Sequence, residues 1–169
     1  AERDPPQADF LWYVPVSSLM MLEAGGLLEA YRPSEIANID PRMVDDADPP
    51  FWFGYSGFAT VICFNRTEAG ARSLPRPESW SDLADPVYRG QISRPSPVSS
   101  GAGYMLVGGL LDLMGEEAGW AFLDALDRNI AFYTHSGSKP CEMAGGGETG
   151  LGIAFENAAQ RVIDGGGPV

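Results

Sequence analysis

The feature that most constrains this chain is a run of small residues opening onto a long apolar stretch. From Pro95 the sequence reads Pro-Ser-Pro-Val-Ser-Ser-Gly-Ala-Gly-Tyr, then Met-Leu-Val-Gly-Gly-Leu-Leu-Asp-Leu-Met-Gly to Gly115. Leu106, Val107, Leu110, Leu111 and Met114 recur at helical spacing, which predicts a loop feeding a helix start. The first N–H groups of a helix lack intrahelical partners and sit at the positive end of its dipole, while Gly101 and Gly103 admit another group close to the backbone. An anion fits such a place. The competing reading is a plain helix cap by the Ser99 or Ser100 hydroxyl.

A chain of 169 residues can bury a sizeable core as one domain, or carry one domain and part of another. Its net charge of −12 argues against nucleic acid as the partner, because no basic cluster is present to neutralise phosphates. The longest apolar stretch, Tyr104 to Met114, is too short to cross a bilayer and contains Asp112. No signal peptide is visible, and the abrupt ends suggest a fragment. Two cysteines, Cys63 and Cys141, exclude a disulfide-dense scaffold and lack metal-site spacing; Cys63, in an apolar strand-like run, reads as a small buried hydrophobe.

Along the chain, Ala8 to Tyr13 has strand character, and Val14-Pro15-Val16-Ser17-Ser18 turns it into a helix stopped by Gly25 and Gly26. Residues 31–50, rich in Pro, Asp and Asn, read as an irregular connection; Asp45, Asp46 and Asp48 lack the glycine and glutamate of a calcium loop. Phe51 to Asn65 is the longest β-prone stretch, bent at Gly54 and Gly57. Arg66 to Arg76 reads as polar and mobile, and Pro77 to Leu83 as a short helix with Ser79 and Asp82 in a loose capping box. A turn at Asp85-Pro86 leads to a short strand, Gln91-Ile92-Ser93, which ends at the central loop. After the central helix a second one, Glu116 to Asn129, points Trp120, Leu123 and Leu126 inward. Ile130 to Thr134 is strand-like, His135-Ser136-Gly137-Ser138 a turn, and Lys139 to Gly146 a helix start. Leu151 to Phe155 is a buried strand and Ala158 to Ile163 a short helix. Alternating strands and helices make this an α/β chain with a largely parallel sheet.

The segment Ser79-Trp80-Ser81-Asp82-Leu83-Ala84-Asp85-Pro86-Val87-Tyr88-Arg89-Gly90-Gln91-Ile92, followed by Pro97-Val98-Ser99-Ser100-Gly101-Ala102-Gly103-Tyr104, resembles the bacterial extracellular solute-binding proteins of ABC importers. The likeness is strongest to the branch of ferric iron, phosphonate and sugar-phosphate binders. It extends through Met114-Gly115-Glu116-Glu117, Tyr133-Thr134, Ser136-Gly137-Ser138 and Gly152-Ile153, and back to Ala8-Asp9-Phe10-Leu11-Trp12. The resemblance implies a periplasmic-binding-protein-like (type II) lobe with a parallel-rich mixed sheet, from a protein of two α/β lobes that close over a ligand. It assigns residues 1–65 to part of the first lobe and a crossing strand, 66–150 to the second lobe, and 151–169 to the return crossing strand and a first-lobe helix. It also implies a periplasmic or extracellular location and an ABC permease as partner of the full-length protein.

On that analogy the N–H groups of Ser100, Gly101 and Ala102, with the Ser99 and Ser100 hydroxyls, cradle the anionic group of a small solute such as a phosphonate or phosphate ester. Tyr104 adds a hydroxyl or an aromatic wall. Ser136, Gly137 and Ser138 offer a second set of donors, Ser17 and Ser18 face them from the first lobe, and Glu156 meets a hydroxyl or ammonium group. No cofactor or metal is implied. Ferric-binding relatives place adjacent tyrosines where this chain has Phe155, Glu156 and Asn157, which disfavours direct iron coordination and leaves a ferric carrier as the alternative. At Tyr13-Val14, where relatives often carry two glycines, added bulk weakens the carry-over of Ser17 and Ser18. An enzyme is disfavoured: His135 is the single histidine, and neither a Gly-x-Ser-x-Gly elbow nor a Gly-Lys-Ser/Thr phosphate loop occurs. His135 reads as a surface or capping residue. A ligand-sensing regulatory module of the same fold is the remaining alternative.

Overall fold

The computed structural model describes residues 8–12 and 14–169. The backbone forms two compact units, Ala1–Gly57 and Phe58–Val169.

In the first unit, helix α1 (Val16–Ala24) follows Pro15, which holds the extended backbone (φ −60°, ψ 143°) that precedes a helix. It stops at the expected glycines: Gly26 takes φ +66°, its N–H bonds the Glu23 carbonyl at 2.8 Å, and the Leu27 N–H bonds the Leu22 carbonyl at 2.9 Å. No residue of α1 is buried. The strand expected over Ala8 to Tyr13 is not formed in residues 8–12, and Tyr13 lies outside the described residues. A strand exists only where a neighbour takes its N–H and C=O groups, and no described segment pairs with this run. Residues 31–50 are irregular as expected, with single 3-10 turns at Ile36–Asn38 and Pro41–Met43.

The second unit carries β1 (Thr60–Phe64), α2 (Arg66–Arg72), β2 (Ile92–Pro95), α3 (Gly101–Met114), α4 (Glu116–Asp127), β3 (Ile130–Thr134), α5 (Lys139–Gly145), β4 (Leu151–Phe155) and α6 (Glu156–Asp164). The sheet order is β1-β4-β2-β3: β1 runs antiparallel to β4, whereas β2 runs parallel to both β4 and β3. The parallel-rich mixed sheet is therefore present.

Period-two alternation divides the side chains between two helix layers. Ile92, Leu151 and Ile153 join Leu106 and Leu110 of α3, Phe122, Leu123 and Leu126 of α4, and Leu83 and Tyr88 in the larger core. On the other face Cys63 and Ala154 meet Cys141 and Ala144 of α5 and Ala158 of α6. This second layer is built of small residues because α5 presses on the sheet: a Cβ on Gly152 would lie 2.1 Å from the Pro140 carbonyl oxygen. Buried Asn129 fixes the entry to β3, its Nδ2 donating to the carbonyls of Leu83 (2.8 Å) and Asp85 (2.7 Å).

Four readings need correction. Cys63 and Cys141 are buried, as read for Cys63, but they form a disulfide across a Cα–Cα distance of 5.4 Å, tying β1 to α5. The segment after Asn65 is a helix, because the Asn65 Oδ1 accepts the N–H groups of Thr67 and Glu68, both at 2.9 Å. Trp120 is half exposed, and α4 instead turns Gly119, Phe122, Leu123 and Leu126 inward. At Ser79 only the reverse half of the capping box forms: Asp82 accepts the N–H groups of Glu78 and Ser79, which holds its carboxyl below the usual range, and the turn is 3-10.

Candidate functional site

Helix α3 starts where the sequence predicts, at the carboxyl end of β2. Ser100 is its N-cap, with extended backbone (φ −132°, ψ 125°), yet its side chain makes no capping hydrogen bond. The Ser99 hydroxyl is no cap either, since it pairs with Nδ1 of His135 at 2.7 Å. The bare-cap explanation of the two serines thus fails on geometry. One backbone donor of the expected cradle is already used: the Ser100 N–H bonds the Ser96 carbonyl at 3.0 Å. Among the described residues no carbonyl accepts the N–H of Gly101 or Ala102. These two point out of the first turn at the positive end of a 14-residue helix.

Gly103 has a different role from the one its spacing suggests. A Cβ there would stand 2.3 Å from the Ser96 carbonyl oxygen, so its missing side chain lets α3 lie directly on the loop that leaves β2. Gly103 is buried, whereas Gly101 is exposed. Tyr104 is 61% exposed, beyond the first turn.

The turn after β3 belongs to the same place. A Cβ on Gly137 would be 2.7 Å from the Ala102 Cβ and 2.7 Å from Cε2 of Phe155, so three elements converge on this one glycine: the start of α3, the β3–α5 turn and the end of β4. Ser136 shapes the turn, accepting the Thr134 hydroxyl through its carbonyl (2.7 Å) and the Ser138 N–H through its Oγ (3.2 Å). Ser138 precedes α5 without a side-chain cap. Glu156, next to Phe155, accepts the Ala59 N–H through Oε2, and its own N–H bonds the Ala59 carbonyl at 3.0 Å. One carboxylate oxygen is thereby committed to the backbone that enters β1. Of the residues predicted from sequence, Ser99, Ser100, Gly101, Ala102, Ser136, Gly137 and Ser138 are thus grouped around one helix end, with Glu156 beside them through Phe155. Ser17 and Ser18 lie in the first turn of α1, in the other unit.

Two residues of this region were not read as functional. His135 contributes through its bond to Ser99. The pair has two of the three groups of a hydrolytic triad, but Nδ1 rather than Nε2 faces the hydroxyl, and among the described residues no carboxylate bonds the ring. Arg94, on β2, is only 3% exposed, and its Cζ sits 5.8 Å from the centre of the Tyr133 ring. Tyr133 in turn donates to Asp127 at 2.5 Å. Burial first, and then the Asp127 hydrogen bond, push the Tyr133 hydroxyl up to about 12. An apolar depression of about 130 Å³ flanks α3, lined by Trp80, Met105, Gly109 and Leu113 among others, and contains none of the predicted contacts.

Residues 8–163 match the family described as bacterial extracellular solute-binding protein. The chain is 30% identical to the periplasmic binding protein AfuA of Actinobacillus pleuropneumoniae, whose structure holds fructose-6-phosphate; the superposition covers 98% of this chain and 53% of that one, with a TM-score of 0.84. It is 36% identical over 112 residues to the phosphoglycerate transport regulatory protein PgtC of Salmonella typhimurium, covering 64% of this chain and 27% of that protein. Over 104 residues it is 32% identical to an Fe(3+)-binding periplasmic protein of Serratia marcescens, covering 57% of this chain and 29% of that protein. The chain spans about half the length of the relatives it matches along nearly its whole extent, 46% and 53% of two of them.

Proposed function

Because the chain belongs to the family of bacterial extracellular solute-binding proteins, we propose that it is part of the solute-capturing component of an ABC importer, acting in the periplasm on a small phosphorylated or phosphonate solute. In this reading residues 66–150 are the second lobe, β1 and β4 belong to the crossing segments, and the phosphoryl oxygens rest on the N–H groups of Gly101 and Ala102. The hydroxyls of Ser99, Ser100, Ser136 and Ser138 complete the donor set, and the free oxygen of Glu156 takes a ligand hydroxyl. A permease then receives the loaded carrier. No chemical step is required of the protein.

The observation that carries the reading is the open start of α3: two outward N–H groups beside serine hydroxyls that do not cap the helix. The bound sugar phosphate of AfuA and the phosphoglycerate in the name of PgtC favour the same ligand chemistry. The disulfide suits an oxidising compartment. Titration calorimetry on the intact protein tests it with fructose 6-phosphate, inorganic phosphate, unphosphorylated fructose and ferric citrate. Phosphorylated probes should bind, and Gly137→Ala should weaken them roughly tenfold by forcing the β3–α5 turn off Ala102. Binding of neutral sugars alone would remove the anion reading, and uptake of iron(III) alone would make this a ferric carrier.

A further inference from the structure

Among the described residues Arg94 is the one buried arginine or lysine, and no hydrogen-bonded acid faces it. Its Nε and Nη2 are buried without a hydrogen-bond partner. These two atoms form the side-on edge that grips a carboxylate or phosphate with parallel bonds, so no protein anion occupies the fork. The facing aromatic is Tyr133, which pairs with Arg94 in the β2–β3 register. Asp127 at the end of α4, whose charge acts on Arg94, is held by the Tyr133 hydroxyl. Burial pulls the Arg94 pKa down, but a guanidinium starts so high that it stays charged at neutral pH.

A buried positive charge without a hydrogen-bonded counter-ion is costly, and an apolar side chain of similar volume would often be more stable there. Its position gives it a use. Arg94 stands two residues before Ser96, whose carbonyl accepts the Ser100 N–H and underlies Gly103. Two strand residues span about 7 Å, so the Arg94 backbone stands on the order of 10 Å from the start of α3, and that separation is taken as the scale of its field.

Resting on the reading that α3 receives an anion, we infer that Arg94 is a specificity-determining residue, a fixed cation beneath the site that favours doubly over singly charged oxyanions without touching them. The helix dipole and the N–H donors hold any oxyanion, whereas a point charge acts in proportion to the ligand's own charge. Over ~10 Å, Coulomb attraction at effective dielectrics from ~80 down to ~20 corresponds to factors of about 2 to 17 per unit charge. Taking about threefold per unit charge, removing the cation costs a monoanion about threefold and a dianion about tenfold.

The experiment compares the intact protein with Arg94→Gln and Arg94→Met, titrating fructose 6-phosphate at pH 8, where the ester is a dianion, and at pH 5, where it is chiefly a monoanion (phosphate pKa about 6). The expected result is a loss of about tenfold at pH 8 and about threefold at pH 5, equal in both variants, with thermal midpoints no lower than that of the parent. Equal affinities of parent and variants would overturn the role of Arg94 and leave the anion site standing. Losses that differ between Gln and Met, or that track a lowered midpoint, would mark a packing effect and overturn it as well. Failure of the parent itself to bind the ester would instead reject the anion reading on which the inference rests. Should both substitutions prevent folding, Asp127→Asn, on the exposed end of α4, tests the same field: removing that negative charge should raise affinity for the dianion, and an unchanged or lower affinity overturns the proposal.

Discussion

Tyr133 shows how one residue serves packing, charge and titration together. Its ring covers the Arg94 guanidinium, its hydroxyl holds Asp127, and both burial and that hydrogen bond retain its proton up to about 12. An unfolded tyrosine ionises near 10. Above that pH the unfolded chain gives up a proton that the folded chain keeps, so stability is complete below pH 10 and falls as pH rises toward 12. Denaturant melts at pH 9, 10, 11 and 12 should therefore show a decline across this window that is smaller in Tyr133→Phe. An equal decline would show that other groups dominate. Neither Arg94 nor Tyr133 was legible in the sequence, because a strand pattern does not tell which charged residue faces the covered side of a sheet. The start of α3 at Gly101 was legible, since a helix start follows from local chain chemistry, whereas the packing of Gly103 on the Ser96 carbonyl was not. A second detail escaped: the Ser100 N–H is spent on Ser96, a bond that depends on how the preceding loop folds back.

At the scale of elements, the central helix and the strands over Ile130–Thr134 and Leu151–Phe155 formed where expected, whereas α2 and the run at residues 8–12 did not follow the reading. Helix α3 has its glycine start and apolar face, and α1 its glycine stop. Helix α2 had a signal that was passed over, Asn65 followed three residues later by Glu68, the pattern of an N-terminal cap. The run at residues 8–12 had β-prone residues but found no described partner. The disulfide was hidden for a similar reason: 78 residues separate Cys63 from Cys141, and only the packing of α5 on β1 brings them together. Closing a loop of that length restricts the unfolded chain, and replacing both cysteines by serine should lower stability by about 2–5 kcal/mol, read as the shift of the urea midpoint. The loss should be matched by reducing the parent under denaturing conditions. An unchanged midpoint would show that the bond does not support the fold.

At the scale of the whole molecule, the described chain divides after Gly57, and residues 55–59 are exposed on the approach to β1. Exposed connecting backbone is where proteases enter first. Brief chymotrypsin treatment should cut after Tyr55 or Phe58 and leave the second unit as a resistant core, identified by mass; first cuts within α3 or β4 would contradict the division. Helix α1 has no buried residue, although Leu19, Met20, Met21 and Leu22 clothe it in apolar groups. The cystine also bears on how the protein is made. Synthesised in a reducing cytosol it would emerge as two sealed thiols within the small-residue layer under α5, so secretion into an oxidising space decides whether a preparation has its full resistance to heat and proteolysis.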